Sequence, residues 1–379
     1  MRNSLVVCGV FVAACVTMPS FLTAQGGGGG RGGGRGGGRG GGRGAAVVMD
    51  SVRARQLYVS NRKEDFAQGN YAAQKADRLR DDSVFTARSR GVMQFRKVSY
   101  KSADGLEIPA DLFLPLTPRG PKGHAAMVWV HDGIHGRWRS SLYMPFIIEA
   151  VQRGYVIVAP EYRGSTGYDS TFYAMFDYGG KEVGDAIAAY DYLKTLPFVD
   201  ADRVGIMGWS HGGMIAASAL FRDGQPFRAG ASIVPVTNLF TRLARSGPGY
   251  ERDFSTTIGG MPNEKMNEYV ARSPVFQAAN LKVPMLVHVE TNDCDVYFIE
   301  DQQMVYTLRA LHPDLVETKI YVDPPPGPEG CGHTFSRRVN PVTLERNDTP
   351  EQIDSWNRTW TFFDWWLRPY QDPSQSGHR

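Results

Sequence analysis

Arg203-Val204-Gly205-Ile206-Met207-Gly208-Trp209-Ser210-His211-Gly212-Gly213 is the stretch that decides how this chain is read. Arg203 to Met207 has the length and apolarity of a short buried strand. Gly213 to Phe221 is small and apolar, as a packed helix requires. Between them lies Gly-x-Ser-x-Gly, with glycines at 208 and 212 that let the backbone crowd into a strained turn. The pentapeptide recurs by chance in glycine-rich chains, and this one has 43 glycines. A strand before it and a helix after it are what make it a nucleophile elbow. The spacing therefore predicts that Ser210 stands exposed at the carboxyl end of a sheet, with a helix N-terminus behind it.

Working outward, Met93 to Tyr100 and Leu106 to Leu114 read as two strands around Ala103-Asp104-Gly105. Runs of strand length, all but the last largely apolar, follow at Ala125–Val130, Tyr155–Ala159, Val204–Met207, Ala229–Val234, Pro284–Val289 and Glu317–Val322. Helical stretches such as Lys181–Leu196 and Ile299–Leu311 separate them. Strands without polar alternation, interleaved with helices, predict an α/β fold with a mainly parallel sheet covered on both faces. The last helix, Ile353 to Leu367, carries Trp356, Trp360, Phe362, Phe363, Trp365 and Trp366, an aromatic stripe expected to pack into the core.

A serine hydroxyl is a poor nucleophile at neutral pH. It needs a base within hydrogen-bond reach and a carboxylate to orient that base. On a sheet of this kind the order along the chain is Ser, then Asp or Glu, then His, each on a loop after a later strand. The strand Pro284–Val289 runs into Glu290-Thr291-Asn292-Asp293-Cys294-Asp295, so Asp293 is the candidate acid, with Asp295 and Glu290 as alternatives. The strand Glu317–Val322 runs into a Pro/Gly-rich loop and then His333, the histidine that has both the right order and the right context for the base. Cys294 follows Asp293 directly and Cys331 lies two residues before His333. If the acid and base loops meet, these thiols are expected to bond, closing a loop that the chain-entropy model values at about 3–4 kcal/mol. A tetrahedral intermediate also needs two fixed donors for its oxyanion. The N–H of His211 is expected to be one. The second is expected from Asp132 or Gly133, in the loop His131-Asp132-Gly133-Ile134-His135-Gly136 after Ala125–Val130; the plain alternative is a tight turn that donates nothing.

The ends of the chain read differently. Met1-Arg2-Asn3 followed by the apolar Ser4–Val16, and Met18–Ala24 ending in Leu-Thr-Ala, has the form of a secretory signal over residues 1–24. Val12-Ala13-Ala14-Cys15 resembles a bacterial lipobox, so a lipoprotein anchored through Cys15 is the second possibility. Residues 25–44 follow as a flexible tether: Gly26 to Gly44 holds fifteen glycines and four arginines and no apolar side chain to bury. Subtracting Arg2 and these four arginines takes the net charge from +3 to −2, so the body of the protein carries no basic surplus for nucleic acid. The tether could make weak contact with an anionic envelope surface. Residues 45–92 are polar and charged and read as a helical extension, which leaves 93–379 as the main domain. The eight histidines are scattered, and no metal site or cofactor is expected.

With these residues placed, the chain resembles the catalytic domain of the prolyl oligopeptidase family of serine peptidases, from about Met93 to the C-terminus. The segments that carry the resemblance are Asp177-Tyr178-Gly179-Gly180-Lys181-Glu182-Val183, Gly208-Trp209-Ser210-His211-Gly212-Gly213, Tyr162-Arg163-Gly164-Ser165-Thr166-Gly167-Tyr168 and Gly332-His333-Thr334-Phe335. The resemblance implies an α/β-hydrolase fold, peptide or ester hydrolysis through an acyl-enzyme, and Ser210, Asp293 and His333 as nucleophile, acid and base. It is incomplete. Fewer than fifty residues separate the tether from the first strand, so no propeller domain of the kind found in family peptidases is expected, and dipeptidyl specificity loses its usual basis. A carboxylesterase of the same fold is the alternative that this departure favours. The oxyanion loop often reads His-Gly-Gly-Pro in the family, whereas Asp132 stands here. A carboxylate at that position opposes catalysis unless it points away or pairs with a cation such as Arg163. A reading of another class is a non-catalytic envelope-binding protein on a hydrolase scaffold.

Overall fold

The computed structural model describes residues 70–246, 248–327 and 330–369. The expected signal, the tether and the first part of the helical extension lie outside them. Eight strands form one sheet in the order β1-β2-β4-β3-β5-β6-β7-β8. They are β1 (Met93–Lys101), β2 (Glu107–Pro115), β3 (His124–Val130), β4 (Val156–Pro160), β5 (Val199–Trp209), β6 (Ala229–Ile233), β7 (Met285–Glu290) and β8 (Val316–Tyr321). β2 pairs antiparallel with β1 and β4, and every later pairing is parallel.

The apolar runs explain this placement. β3, β4, β6 and β7 are buried at every residue, so both faces must be covered. Alternate side chains then enter separate cores. Val128, Val130, Val158 and Ile206 point to one face, while Met127, Trp129, Ile157 and Met207 point to the other. The first face is covered by Lys181–Lys194, His211–Leu220 and Phe298–Leu311, and the second by Ser140–Gln152 and Pro350–Leu367. The C-terminal aromatic stripe lies in the second core: Trp356 and Trp360 are buried, and Trp209 stacks on Trp129 and lies tilted against Trp356. Trp365 departs from the expectation and is exposed.

Within the extension, Tyr71–Ser89 is one helix, capped by the Asn70 side chain on the Ala73 N–H. It is tied down by chemistry as well as by Phe85. Ser140–Gln152 begins without a cap of its own, and Asp81 of the extension helix accepts from both the N–H and the hydroxyl of Ser140. One region was not anticipated. Between β6 and β7 the chain makes three further helices, Leu239–Ser246, Pro248–Thr257 and Pro262–Ala271. Leu239, Phe254, Ile258 and Tyr269 join Tyr178, Met214 and Val296 in a third, smaller core. These helices are short, and they bury their apolar residues against one another and against Tyr178, Met214 and Val296.

Candidate active site

Ser210 links β5 to the helix His211–Leu220 at φ 54° and ψ −121°. A left-handed serine is strained, and the surroundings over-determine it. Its N–H donates to Ile233 O at 2.9 Å, and its carbonyl accepts from Met214 N at 2.9 Å. The flanking glycines are there because nothing larger fits. A Cβ on Gly208 would collide with the Gly212 backbone, and one on Gly212 with the carbonyls of Val130 and His131. Side-chain-free crossings at 208 and 212 thus set the serine at the mouth of the sheet's carboxyl edge.

The loops after β7 and β8 meet each other. Asp293 Oδ1 accepts the N–H groups of Asp295 and Val296 at 2.8 and 2.9 Å. Its Oδ2 lies 2.7 Å from His333 Nδ1. That bond fixes the tautomer: Nδ1 carries the proton that Asp293 accepts, and Nε2 is left with its lone pair. Burial opposes a charged imidazole here, but the charge and hydrogen bond of Asp293, with Asp295 adding to them, raise His333 above its ordinary value. Asp295 does not make the Nδ1 contact. Its Oδ2 stands 3.7 Å from Nε2, on the open side of the ring, and Arg242 holds its Oδ1 at 2.8 Å. Glu290 is wholly buried behind the pair. Cys294 and Cys331 are bonded with Cα atoms 5.8 Å apart, and Gly332 N donates to Asn292 O at 3.1 Å, so the two loops are clamped covalently and through the backbone.

The oxyanion side differs from expectation in two respects. The N–H of Asp132 is already engaged, donating to Tyr143 Oη at 3.0 Å. That leaves Gly133, at φ 73°, whose N–H has no acceptor among the described residues, together with His211 at the first position of its helix. The carboxylate of Asp132 is indeed paired, but not with Arg163. Arg163 binds Asp185 and Asp104. Asp132 instead meets the fully buried Arg337 at 3.0 Å, accepts from the Tyr143 hydroxyl at 2.9 Å, and has Arg139 at 3.7 Å. Although burial opposes its charge, Arg337 and Arg139 hold it well below the usual carboxylate range. Its charge is therefore spent on this cluster. The neighbouring His131 is neutral: burial brings it down to about 4, and it stacks on Tyr162 while Nε2 meets Ser165 Oγ at 2.8 Å.

One supporting residue escaped the sequence reading. Glu182 is buried, accepts from the N–H groups of Asp177 and Gly179, and meets His211 Nε2 at 2.7 Å. It holds the side chain next to Ser210 from a helix packed behind the elbow. Its only trace in the sequence was the run Asp177–Val183, which gave no physical role for the glutamate.

Residues 142–325 match the model of the prolyl oligopeptidase family. The segment contains a prolyl oligopeptidase family domain. Among curated relatives, the uncharacterized peptidase YuxL of Bacillus subtilis is 28% identical over 273 residues, covering 69% of this chain and 38% of that protein. Acylamino-acid-releasing enzyme 1 of Oryza sativa is 25% identical, with 60% of this chain and 30% of that protein covered. Dipeptidyl aminopeptidase BIII of Pseudoxanthomonas mexicana is 30% identical over 42% of this chain and 24% of its own length. The chain thus spans well under half the length of these relatives. Among solved structures, the acylaminoacyl peptidase of Pyrococcus horikoshii superposes with a TM-score of 0.59 at 25% identity, covering 74% of this chain and 43% of that one. The eight-stranded, mostly parallel sheet is the α/β-hydrolase fold of this family.

Proposed function

We propose that this chain is an exported serine peptidase that opens amide bonds through an acyl-enzyme. Ser210 attacks the carbonyl, and His333 Nε2 takes its proton and returns it to the leaving amine. Asp293 holds the ring and stabilises its charged form. The N–H groups of His211 and Gly133 take the oxyanion. Water then repeats the cycle on the ester. The observation that carries this reading is the conjunction of a left-handed Ser210 between strand and helix with the 2.7 Å Asp293–His333 bond on the adjoining loops. The reading includes a link from Ser210 Oγ to Nε2, and catalytic hydrogen bonds of this kind tighten when substrate binds. The names of the relatives, which include acylamino-acid release and dipeptidyl aminopeptidase activity, favour peptides over simple esters as substrates. Export is supported by the apolar opening of the chain and by the Cys294–Cys331 bond, which suits an oxidising compartment.

The test is a panel of proline-containing peptides with free and acylated amino ends, run beside short-chain esters, with Ser210→Ala as control. Peptide turnover that vanishes in Ser210→Ala is expected. Turnover confined to esters would make the protein a carboxylesterase, and activity that survives in Ser210→Ala would end the proposal. Sequencing the amino end of the mature protein tests export, with cleavage expected after Ala24; a lipid on Cys15 would mark a lipoprotein instead.

A further inference from the structure

Glu290 ends β7, three positions before Asp293. It is completely buried, and no N–H or hydroxyl donor reaches either of its carboxyl oxygens. One side-chain oxygen or ring nitrogen from each of Glu290, Asp293 and His333 lies within 4.8 Å of the other two. The base loop closes directly over it: a Cβ on Gly332 would overlap the Asn292 side chain and come within 2.8 Å of Glu290 Cγ. An ionised Glu290 would be a second negative charge beside Asp293, shut away from water and without a partner. Two carboxyls sharing one site resolve the conflict when one of them keeps its proton. Burial, then the charge of Asp293 and a hydrogen bond to it, push Glu290 well above the ordinary range. The other groups that face it do not reverse this. Asp301, from Phe298–Leu311, is itself buried and raised by its burial, and Arg337 opposes the shift as the smallest influence.

We infer that Glu290 is a carboxylic acid that donates its proton to Asp293 and thereby fixes the carboxylate that orients His333. The inference rests on the reading of Asp293 and His333 given above. Each carboxylate oxygen offers about two acceptor positions. Asp293 Oδ1 has both filled by the amides of Asp295 and Val296, and one on Oδ2 holds His333. The position left for Glu290 is on Oδ2, the atom that steers the imidazole. Glu290 is thus a positioning residue that touches no substrate. Its proton also draws charge from Asp293, which restrains how strongly Asp293 favours the protonated, inactive base.

Two variants separate this role from simple space-filling. Glu290→Gln keeps a donor, and Glu290→Met keeps the volume without one. Glu290→Gln is expected within about threefold of the parent kcat/KM. Glu290→Met is expected to lose on the order of ten- to a hundredfold, with the acid limb of its pH profile moved to higher pH. A Glu290→Met enzyme with the parent's rate and limb overturns the inference, and so does a Glu290→Gln enzyme as impaired as Glu290→Met. Infrared difference spectra keep the question open to refutation if Glu290→Met does not fold. The parent at neutral pH must show a protonated-carboxyl band that Glu290→Gln lacks, and its absence, or a stoichiometric divalent ion in the purified protein, refutes the assignment. Fluorophosphonate labelling of Ser210 in the parent is run alongside. Failure there rejects the hydrolase reading itself, whereas normal labelling with unaffected Glu290 variants rejects only the role of Glu290.

Discussion

Replacing both Cys294 and Cys331 by alanine removes the bridge that joins the acid loop to the base loop. The two residues are 37 positions apart. For a loop of that size the chain-entropy model gives an unfolded-state loss of about 13 cal/mol/K, or about 4 kcal/mol at 25 °C. A domain of roughly 300 residues has an unfolding entropy near 0.6 kcal/mol/K, so the midpoint of thermal unfolding should fall by about 6 °C. The loss should appear in calorimetry and in urea titration of the double variant against the oxidised parent. The Gly332 N–Asn292 O bond and the Asp293–His333 bond remain in the variant, so it should fold. Its activity should decline at temperatures below those that unfold it, because the clamp holds Asp293 beside His333. An unchanged midpoint, with the bridge shown intact in the parent by mass mapping, would refute the reasoning: backbone contacts alone would then be holding the loops together.

Asp132→Ala removes the carboxylate 3.0 Å from the fully buried Arg337 and should lower stability by about 3 kcal/mol in urea titration; a midpoint within error of the parent would show the cluster to be incidental. Because burial of His333 is outweighed by Asp293, the acid limb of kcat/KM should lie above the ordinary histidine value of about 6.5, since the base must be neutral to act. The linked stability runs the other way: with the folded value raised, it is fully present below the unfolded value and is lost as pH rises through the folded one. A limb below the ordinary value counts against the Asp293–His333 assignment. Asp295→Asn removes a carboxylate 3.7 Å from Nε2 and should move that limb to lower pH; no movement would place the Asp295 charge outside the reach of the ring. Gly208→Ala forces a methyl into the Gly212 backbone and should abolish both probe labelling and turnover, and an active Gly208→Ala enzyme would mean the elbow can relax.

Much of this architecture was legible because it rests on strong local rules. Fully apolar runs at Ala125–Val130 and Pro284–Val289 can only be doubly covered strands, and Gly-x-Ser-x-Gly between strand and helix needs small residues wherever the backbone crosses itself. The meeting of Cys294 with Cys331 followed from the order of the loops. What the sequence hid depends on distant partners. Asp132 was suspected of needing a cation, but Arg163 and Arg337 are equally charged on paper; only the fold sends one to Asp185 and the other, 205 positions along the chain, to Asp132. The engaged Asp132 N–H depends on Tyr143 from a neighbouring helix. Glu290 looked like one of three loop acids. Its role turns on burial, which no spacing reports. The helices between β6 and β7 are short, and the residues they pack against, Tyr178, Met214 and Val296, come from distant parts of the chain.

The central claim is that Ser210 is made reactive by His333. The most direct measurement is mapping of a fluorophosphonate adduct by peptide mass spectrometry, in the parent and in His333→Ala. A single adduct on Ser210 that forms rapidly in the parent and is lost in His333→Ala is the predicted result. An adduct elsewhere, or equal labelling of Ser210 without His333, would contradict it.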